Sequence, residues 1–362
     1  MSTQDRSNPL APLEPWLNDP QVGEIMVDGH DNVYVERDGK LVDVPTPFRD
    51  DEHLLEAIAA LLAPTGQKVD VSSPMVDAPL FDNRGRFNVV VPPISLVGPA
   101  LIIRKFSHKP LTVKDLLRLG SWNEDMVELL RACVRARLNI VISGGTGSGK
   151  TTVLNLIAGM IPGDERIVTV ENVGELQLPE GLRRVVRLVS RPPNMEGKGE
   201  VTIRDLVINS LRMRPDRIIV GEVRATEAID LFQAMNTGHD GTMITVHASS
   251  PRDVLARLET MVLMANPSLP LLNVRQQMAS AIDLITYQER LQDGRRKILK
   301  MTEVIGMQGD IVVLHDIFEF RQTGVKDGKV TGHYTATGYI PKFLDRIRAS
   351  GVDLPLSLFT PS

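Results

Sequence analysis

Short apolar runs alternate with amphipathic stretches through the middle of the chain. The aliphatic runs predict buried strands, and apolar positions that recur every three or four residues predict helices. The predicted strands are 139–143, 166–170, 217–220 and 242–246, and the predicted helices are 113–119, 124–137, 151–160, 203–213 and 226–235. Buried strands that alternate with helices indicate an α/β fold, with a parallel sheet covered by helices on both faces.

The segments on either side of this region carry different patterns. Upstream, one amphipathic helix lies among short strands, and Asp38-Gly39 is a hairpin turn signal. The upstream helix is predicted at 52–62 and the strands at 24–27, 33–36, 86–92 and 100–105. Downstream, helices are predicted at 252–264, 274–281 and 341–350, and strands at 284–291, 296–304 and 311–321. Turn signals between the downstream strands indicate an antiparallel extension of the parallel sheet.

These changes of pattern divide the chain into domains. Three prolines within residues 1–15 predict an extended tail, and residues 16–106 predict a smaller α+β N-terminal domain. A polar, proline-containing linker at 107–112 precedes a C-terminal α/β domain at 113–362. The total of 362 residues suits two domains of ordinary size.

Composition and charge narrow the class of protein. Charged residues make up 24% and apolar residues 42% of the chain, which excludes global disorder. The net charge of −4 argues against dedicated nucleic-acid binding. The single cysteine, Cys133, excludes an internal disulfide, suits a reducing compartment and lies in an apolar pattern that predicts a buried thiol. Signal-peptide and membrane-span patterns are both missing, so any membrane association is expected to be peripheral.

Residues 144–151 read GGTGSGKT, which is the pattern of a phosphate-binding loop. Its glycines allow a tight turn whose N–H groups point at phosphate oxygens, and the next helix adds the positive end of its dipole. Lys150 is expected to reach the β- and γ-phosphates, and the Thr151 hydroxyl to coordinate Mg²⁺. The predicted nucleotide-binding residues here are Gly144, Gly145, Thr146, Gly147, Ser148, Gly149, Lys150, Thr151 and Thr152.

Three glutamates lie just past predicted strands, where a parallel sheet collects its ligands. Glu222 ends an aliphatic strand and is predicted to hold Mg²⁺ through its water shell, although Gly221 stands where Asp is usual. Glu171 and Glu175 follow the strand at 166–170, so either carboxylate is a candidate to orient the attacking water. The alternative for these two is a solvated loop acid with no part in the chemistry.

Two histidines and two arginines are further candidates. His247 ends the strand at 242–246, where a neutral imidazole can hydrogen-bond a γ-phosphate oxygen and report its loss. His239 begins the same segment. Arg86 and Arg104 are candidates for the cation that stabilises the charge developing in phosphoryl transfer. An ordinary structural hydrogen bond or surface ion pair is the alternative for each.

Four long segments are together similar to one known family. They read GGTGSGKT, ENVGELQL, RPPNMEGKGEVTIRDLVINSLRMRPDRIIVGEVR and AMNTGHDGTMITVHASSPRDVLARLETMVLM. They resemble the type II/type IV secretion ATPase superfamily, and within it the CpaF branch, the motor of tight-adherence (Tad/Flp) pili. The segments GRFNVVVPPISLVGPALIIRKF and PKFLDRIRASGVDLP agree, so the resemblance covers residues 12–359.

The resemblance implies a RecA-like P-loop ATPase domain preceded by the smaller α+β domain, and a homo-hexameric ring that binds ATP and Mg²⁺ between the two domains of each subunit. It implies inner-membrane platform proteins of a pilus or secretion system as partners, at the cytoplasmic face of the inner membrane. The implied catalytic residues are Lys150, Glu175, Glu222, His247 and Arg104. Further implied nucleotide contacts are Arg86, Arg104 and His239, and implied Mg²⁺ contacts are Thr151, Glu222 and Glu171, the carboxylates through water.

Two positions depart from the family pattern. Asn172 stands where the first glutamate of the acidic segment is usually followed by Asp, and residues 78–80 read Ala-Pro-Leu where Ala-Arg-Leu is expected. The leading hypothesis is an ATP-hydrolysing motor for pilus assembly, with retraction as a further role. The alternatives are a conjugation-type secretion ATPase that exports DNA or protein, and a ring scaffold that binds nucleotide without turnover. Asn172 is the only support for the scaffold.

Overall fold

The structure, a computed structural model, describes residues 8–37, 40–80, 84–106, 110–194 and 196–361. The chain falls into two compact units. The first unit comprises Met1–Pro110, Val173–Glu175 and Arg191–Val201. The second unit comprises Leu111–Asn172, Leu176–Ser190 and Thr202–Ser362.

An antiparallel sheet forms the centre of the first unit. Its strands are β1 (Val22–Asp28), β2 (Val33–Arg37), β3 (Lys40–Asp43), β4 (Met75–Pro79), β5 (Gly85–Val90) and β6 (Ala100–Lys105). They are arranged in the order β3-β2-β1-β6-β5-β4. Helix α2 (Asp51–Leu62) begins where the Asp50 carboxylate accepts a hydrogen bond from the His53 N–H. Its apolar side chains pack with the inward-facing strand residues into one core.

The described end of the predicted extended tail is not extended. Turns precede a short helix, α1 (Glu14–Leu17), and Leu13 is fully buried in the core of the first unit. Burial of this leucine stabilises the compact conformation, which the proline content of residues 1–15 did not reveal. The predicted turn at Asp38-Gly39 and residues 107–109 of the predicted linker lie outside the described residues.

A mixed sheet forms the centre of the second unit. Its strands are β7 (Ile140–Gly144), β8 (Ile167–Glu171), β9 (Val185–Val189), β10 (Arg217–Val223), β11 (Met243–His247), β12 (Leu284–Arg290), β13 (Arg296–Gln308), β14 (Ile311–Lys326) and β15 (Lys329–Ala336). They are arranged in the order β15-β14-β13-β12-β7-β11-β10-β8-β9. The pairs from β12 to β9 are parallel, and those from β15 to β12 are antiparallel. The predicted α/β fold with appended antiparallel strands is therefore confirmed.

Helices cover both faces of this sheet, as predicted. They are α3 (Val113–Arg118), α4 (Glu124–Arg135), α5 (Lys150–Ala158), α6 (Ile203–Ser210), α7 (Glu227–Asn236), α8 (Pro251–Ala265), α9 (Leu271–Ala281) and α10 (Leu344–Ala349). Along β7, Ile140 and Ile142 join the core with α4 and α5, whereas Val141 joins the core with α6 to α9. Cys133 on α4 is fully buried, and burial raises the pKa of its thiol well above the usual range. This confirms the predicted buried thiol.

Among the described residues, no helix combines the length and the apolar character that a crossing of the bilayer requires.

Four strands lacked a predicted counterpart, and all four lie at the edges of the two sheets. They are β3, β4, β9 and β15. Every residue of β3 is exposed, and β9 has no fully buried residue. Edge strands bury little surface, and β3, β4 and β15 lack the apolar runs that identify the central strands. Strand β9 reads VVRLV, so its aliphatic sequence was a signal that the prediction overlooked.

A buried ion pair anchors the start of β10, the strand that leads to Glu222. The Arg217 guanidinium is fully buried. It donates from Nε and Nη2 to the two carboxylate oxygens of Glu165, over 2.8 and 3.0 Å. Arg137, whose side chain is about half exposed, reaches the same carboxylate at 3.1 Å. The buried charges of Arg217 and Glu165 therefore depend on each other for stability.

We expect Arg217→Met to lower the free energy of unfolding of the second unit by about 3 kcal/mol, because the Glu165 carboxylate would stay buried without its main partner. Differential scanning calorimetry should show a Tm lower by roughly 6–12 °C. Arg137→Met is the matched control, and it should cost less than about 1 kcal/mol because this partner is half exposed. Equal shifts for the two variants would contradict the buried pair.

Candidate functional site

The phosphate loop joins the end of β7 to the start of α5 in a conformation that requires glycine. Gly144 has a φ of 155°, and a Cβ there would lie 2.2 Å from the carbonyl oxygen of Gln288 and 2.6 Å from Ser148 Oγ. Gly149, with a φ of 93°, occupies the left-handed region just before α5. A side chain at Gly144 would collide with the backbone of β12, and one at Gly149 would be strained by the left-handed conformation. The need for glycine at positions 144 and 149 is therefore explained by the conformation of the loop and its close packing.

Lys150 lies against the loop that it follows. Its side chain is almost fully buried, and Nζ donates to the carbonyl oxygens of Gly144, at 3.1 Å, and Gly145, at 2.8 Å. Ser148 Oγ also donates to the Gly145 carbonyl oxygen, at 2.9 Å. The first-turn amides of α5 add the positive end of the helix dipole. Cationic and N–H donors thus converge on one loop, as an anion site requires.

The register of the parallel strands brings three predicted residues together. His247 ends β11 opposite Gly144 on β7, and Glu222 lies near the end of the next strand, β10. His247 Nδ1 is 3.5 Å from Lys150 Nζ, and His247 Nε2 is 2.9 Å from Glu222 Oε1. Arg224 Nη2 donates to Glu222 Oε2 at 2.5 Å. Charged and polar groups therefore form a continuous row from the phosphate loop to β10.

The surroundings of His247 favour the neutral imidazole. Burial lowers its pKa below the usual value, and the nearby Lys150 ammonium lowers it further, whereas Glu222 opposes this shift. In the neutral tautomer that fits the two contacts, Nε2–H donates to Glu222 and Nδ1 accepts from Lys150. When the Lys150 ammonium moves, Nδ1 of the imidazole loses this contact and can take another partner.

Glu171 binds its own loop. Its side chain is almost fully buried at the end of β8. The carboxylate accepts hydrogen bonds from the Leu176 N–H, at 2.6 Å, and from Arg187 Nη2, at 3.3 Å. A Cβ at position 221 would lie 3.3 Å from Glu171 Cγ. The glycine that replaces the usual Asp therefore leaves room for Glu171. The Mg²⁺ role of Glu171 stays a prediction.

Three other predicted residues belong to the first unit. Arg86 on β5 and Arg104 on β6 lie directly opposite each other, and Arg104 pairs with Glu24 on β1. Glu175 lies in the short segment Val173–Glu175 of the same unit. The catalytic roles of Arg104 and Glu175 and the nucleotide contact of Arg86 stay predictions. Thr151 and Thr152, by contrast, lie in the first turn of α5, beside Lys150.

The structure does not bring His239 to the phosphate loop of the same chain. His239 precedes β11 at its amino end, where its N–H donates to Ala234 O, whereas His247 lies at the carboxyl end. The four steps along β11 separate the two ends by roughly 13 Å. The prediction grouped the two histidines because they are close in sequence, but the direction of the strand places them at opposite edges of the sheet.

Two residues beside the loop were not predicted. Gln288 at the end of β12 donates from Nε2 to the Ser148 carbonyl oxygen at 3.1 Å, and Arg296 at the start of β13 donates from Nε to the Gly147 carbonyl oxygen at 2.8 Å. Both lie about 140 residues further along the chain. No local motif marks them, because their position depends on the register of β12 beside β7.

Residues 6–327 match the sequence model of the family described as Type II/IV secretion system protein. A putative conjugal transfer protein of Mycobacterium tuberculosis is 34% identical over 330 residues, which cover 85% of this chain and 93% of that protein. The type IV secretion system protein VirB11 of Brucella suis is 30% identical over 303 residues, covering 77% of this chain and 84% of that protein.

Two solved structures share the fold. The ATPase DotB of Legionella pneumophila is similar with a TM-score of 0.60 at 22% identity, covering 83% of this chain and 82% of that one. The pilus retraction motor PilT, solved with bound ADP, is similar with a TM-score of 0.58 at 19% identity, covering 94% and 85%. The helices and strands of this chain are therefore arranged as in these two solved structures.

We expect the imidazole of His247 to titrate below its usual pKa of 6.5 in the nucleotide-free and Mg²⁺-free protein. NMR of the imidazole protons, assigned with His247→Gln, measures this value. Lys150→Ala should raise the pKa, because a neighbouring cation is removed, and Glu222→Gln should lower it, because an anion is removed. Shifts in the same direction for the two variants would contradict the row of contacts.

Proposed function

Because the chain belongs to the Type II/IV secretion system protein family, we propose that it is an ATP-hydrolysing motor of a secretion or pilus machine. The observation that carries this proposal is the contact of Lys150 with His247, and of His247 with Glu222, at the mouth of the phosphate loop. A site that only bound an anion would have no need for a carboxylate linked through an imidazole to the loop lysine.

The residues present fit a nucleotide and Mg²⁺. The ammonium, the loop N–H groups and the helix dipole suit phosphate oxygens. Within the described part of the chain, no three His, Cys, Asp or Glu side chains form a metal cage. That agrees with the way Mg²⁺ is held in such sites, by a hydroxyl, phosphates and water rather than by protein alone. Thr151 would supply the hydroxyl and Glu222 would hold the water shell.

Each residue of the site has a proposed part in hydrolysis. When bound, Mg²⁺ would neutralise charge on the β- and γ-phosphates. Lys150 exchanges the carbonyl oxygens of Gly144 and Gly145 for phosphate oxygens, and His247 responds to the presence of the γ-phosphate. Glu175 orients the water or accepts its proton, as the family resemblance implies. The family resemblance supports a role for Arg104 and Arg86, which are neighbours on β6 and β5, as the source of positive charge for the phosphates.

We further propose that six copies form a ring whose ATP cycle drives a membrane platform at the cytoplasmic face of the inner membrane. The resemblance to the CpaF branch supports a Tad/Flp-type pilus as the machine. The second candidate is a conjugation-type secretion ATPase, and the 34% identity to a putative conjugal transfer protein supports it. Co-purification from membranes discriminates the two, since pilus platform proteins or DNA-processing and coupling proteins would be recovered.

We expect the purified protein to release phosphate from Mg·ATP in a roughly six-fold assembly. Lys150→Ala should remove turnover by weakening phosphate binding, and Glu222→Gln should lower kcat at least about 100-fold while nucleotide still binds. Phosphate release, with mass measured in the same buffer, checks both. Glu180→Gln is the control, because this carboxylate is exposed. Tight ATP binding by the wild type without turnover, in the presence of membranes as well, would favour the ring scaffold.

A further inference from the structure

The hairpin of β12 and β13 lies beside the phosphate loop. Strand β12 runs parallel to β7, with Gln288 opposite Gly144, and Arg290 pairs with Arg296 across the hairpin. The turn is closed by hydrogen bonds from the Leu291 N–H to Arg295 O and from the Gly294 N–H to Leu291 O. The appended antiparallel strands thus begin at the edge of the nucleotide site.

Two side chains of this hairpin bind loop carbonyl groups. Gln288 is 2% exposed and donates from Nε2 to Ser148 O over 3.1 Å. Arg296 donates from Nε to Gly147 O over 2.8 Å, and its Cδ lies 3.3 Å from where a Cβ on Gly149 would stand. A planar guanidinium with a well-aligned donor holds a carbonyl in a defined direction.

Besides the Ser148 hydroxyl and the Ala248 N–H, two sets of side-chain donors bind the carbonyl groups of the loop. Those of Gly144 and Gly145 accept from Lys150 Nζ, which must move toward the phosphates when nucleotide binds. Those of Gly147 and Ser148 accept from the hairpin. The hairpin donors do not depend on Lys150, so they can hold the loop in the same shape before and after the ammonium moves.

We propose that Arg296 is a positioning residue for nucleotide binding. It holds the Gly147 carbonyl away from the phosphates, so that the neighbouring loop N–H groups face them. This inference rests on the proposed nucleotide-binding function and adds a residue from the hairpin to it. Arg296 acts through the loop and not on the reacting atoms, so it affects how tightly nucleotide binds and leaves the chemical step unchanged.

The backbone that carries Arg296 is anchored independently of its guanidinium. The next residue, Lys297, points to the other face of the strand and is 7% exposed. Its Nζ donates to Gly120 O at 2.5 Å and lies 4.6 Å from the ring centre of Phe320 and 5.3 Å from that of Tyr334. Substitution of Arg296 should therefore remove the bond to Gly147 without unfolding the hairpin.

The experiment compares two variants with stems of similar length. Arg296→Met removes the donor, and we expect the Kd for ADP, measured by titration calorimetry, to rise about ten-fold, which corresponds to about 1.4 kcal/mol. The KM for ATP should rise about as much, while kcat at saturation stays within about two-fold of the wild type. Arg296→Lys keeps a charged donor and should stay within about three-fold in Kd.

Arg290→Gln is the matched control, because Arg290 is an exposed arginine of the same hairpin. It should leave Kd unchanged, and Arg296→Met should leave the Tm without nucleotide unchanged. Wild-type affinity in Arg296→Met would overturn the inference, as would equal losses in Arg296→Met and Arg296→Lys or a ten-fold loss in Arg290→Gln. If the wild type itself bound no nucleotide, the proposed function would fail together with the inference.

Discussion

The parallel register of β11, β7 and β12 is the constraint on which the rest of the site depends. It places His247, Gly144 and Gln288 side by side at the carboxyl edge of the sheet. The approach is so close at Gly144 that a Cβ would collide with the Gln288 carbonyl. The phosphate loop therefore starts at a point fixed from both sides by buried strands. A shift of one residue in β11 would turn His247 to the opposite face of the sheet and separate it from Lys150, and the same shift in β12 would turn Gln288 away from the loop.

This register also stabilises the buried charge of Lys150 when no nucleotide is bound. An almost fully buried ammonium is costly unless its charge is compensated, and here loop carbonyls and a neutral imidazole surround Lys150. Glu222 holds the far nitrogen of that imidazole and is itself paired with Arg224. The Lys150 ammonium is therefore stabilised by hydrogen bonds to neutral groups. It can exchange these bonds for phosphate oxygens when a polyanion binds.

The sequence predicts what depends on burial or on a local motif, and fails where position depends on distant strands. The strands β7, β8, β10 and β11 carry aliphatic runs because helices cover both of their faces, so the α/β fold was predictable. The phosphate loop was predictable because its chemistry is contiguous. The edge strands β3, β4 and β15 were missed because they bury little and lack apolar runs, whereas β9 was missed although it reads VVRLV. Gln288 and Arg296 were missed because only the pairing and direction of strands decide which residues meet. The same strand direction puts His239 at the far end of β11 from His247, and its nucleotide contact stays a prediction.

The departure at Asn172 has a structural counterpart that bears on the scaffold hypothesis. Its side-chain oxygen lies 3.2 Å from Ser190 Oγ, which donates to it just past the end of β9. An Asp at this position would accept the same hydrogen bond, so the amide changes the local charge but not the contact. The row of Lys150, His247 and Glu222 does not involve Asn172. The residue that supports a ring without turnover is thus bound at the sheet edge, apart from the contacts that join Lys150, His247 and Glu222.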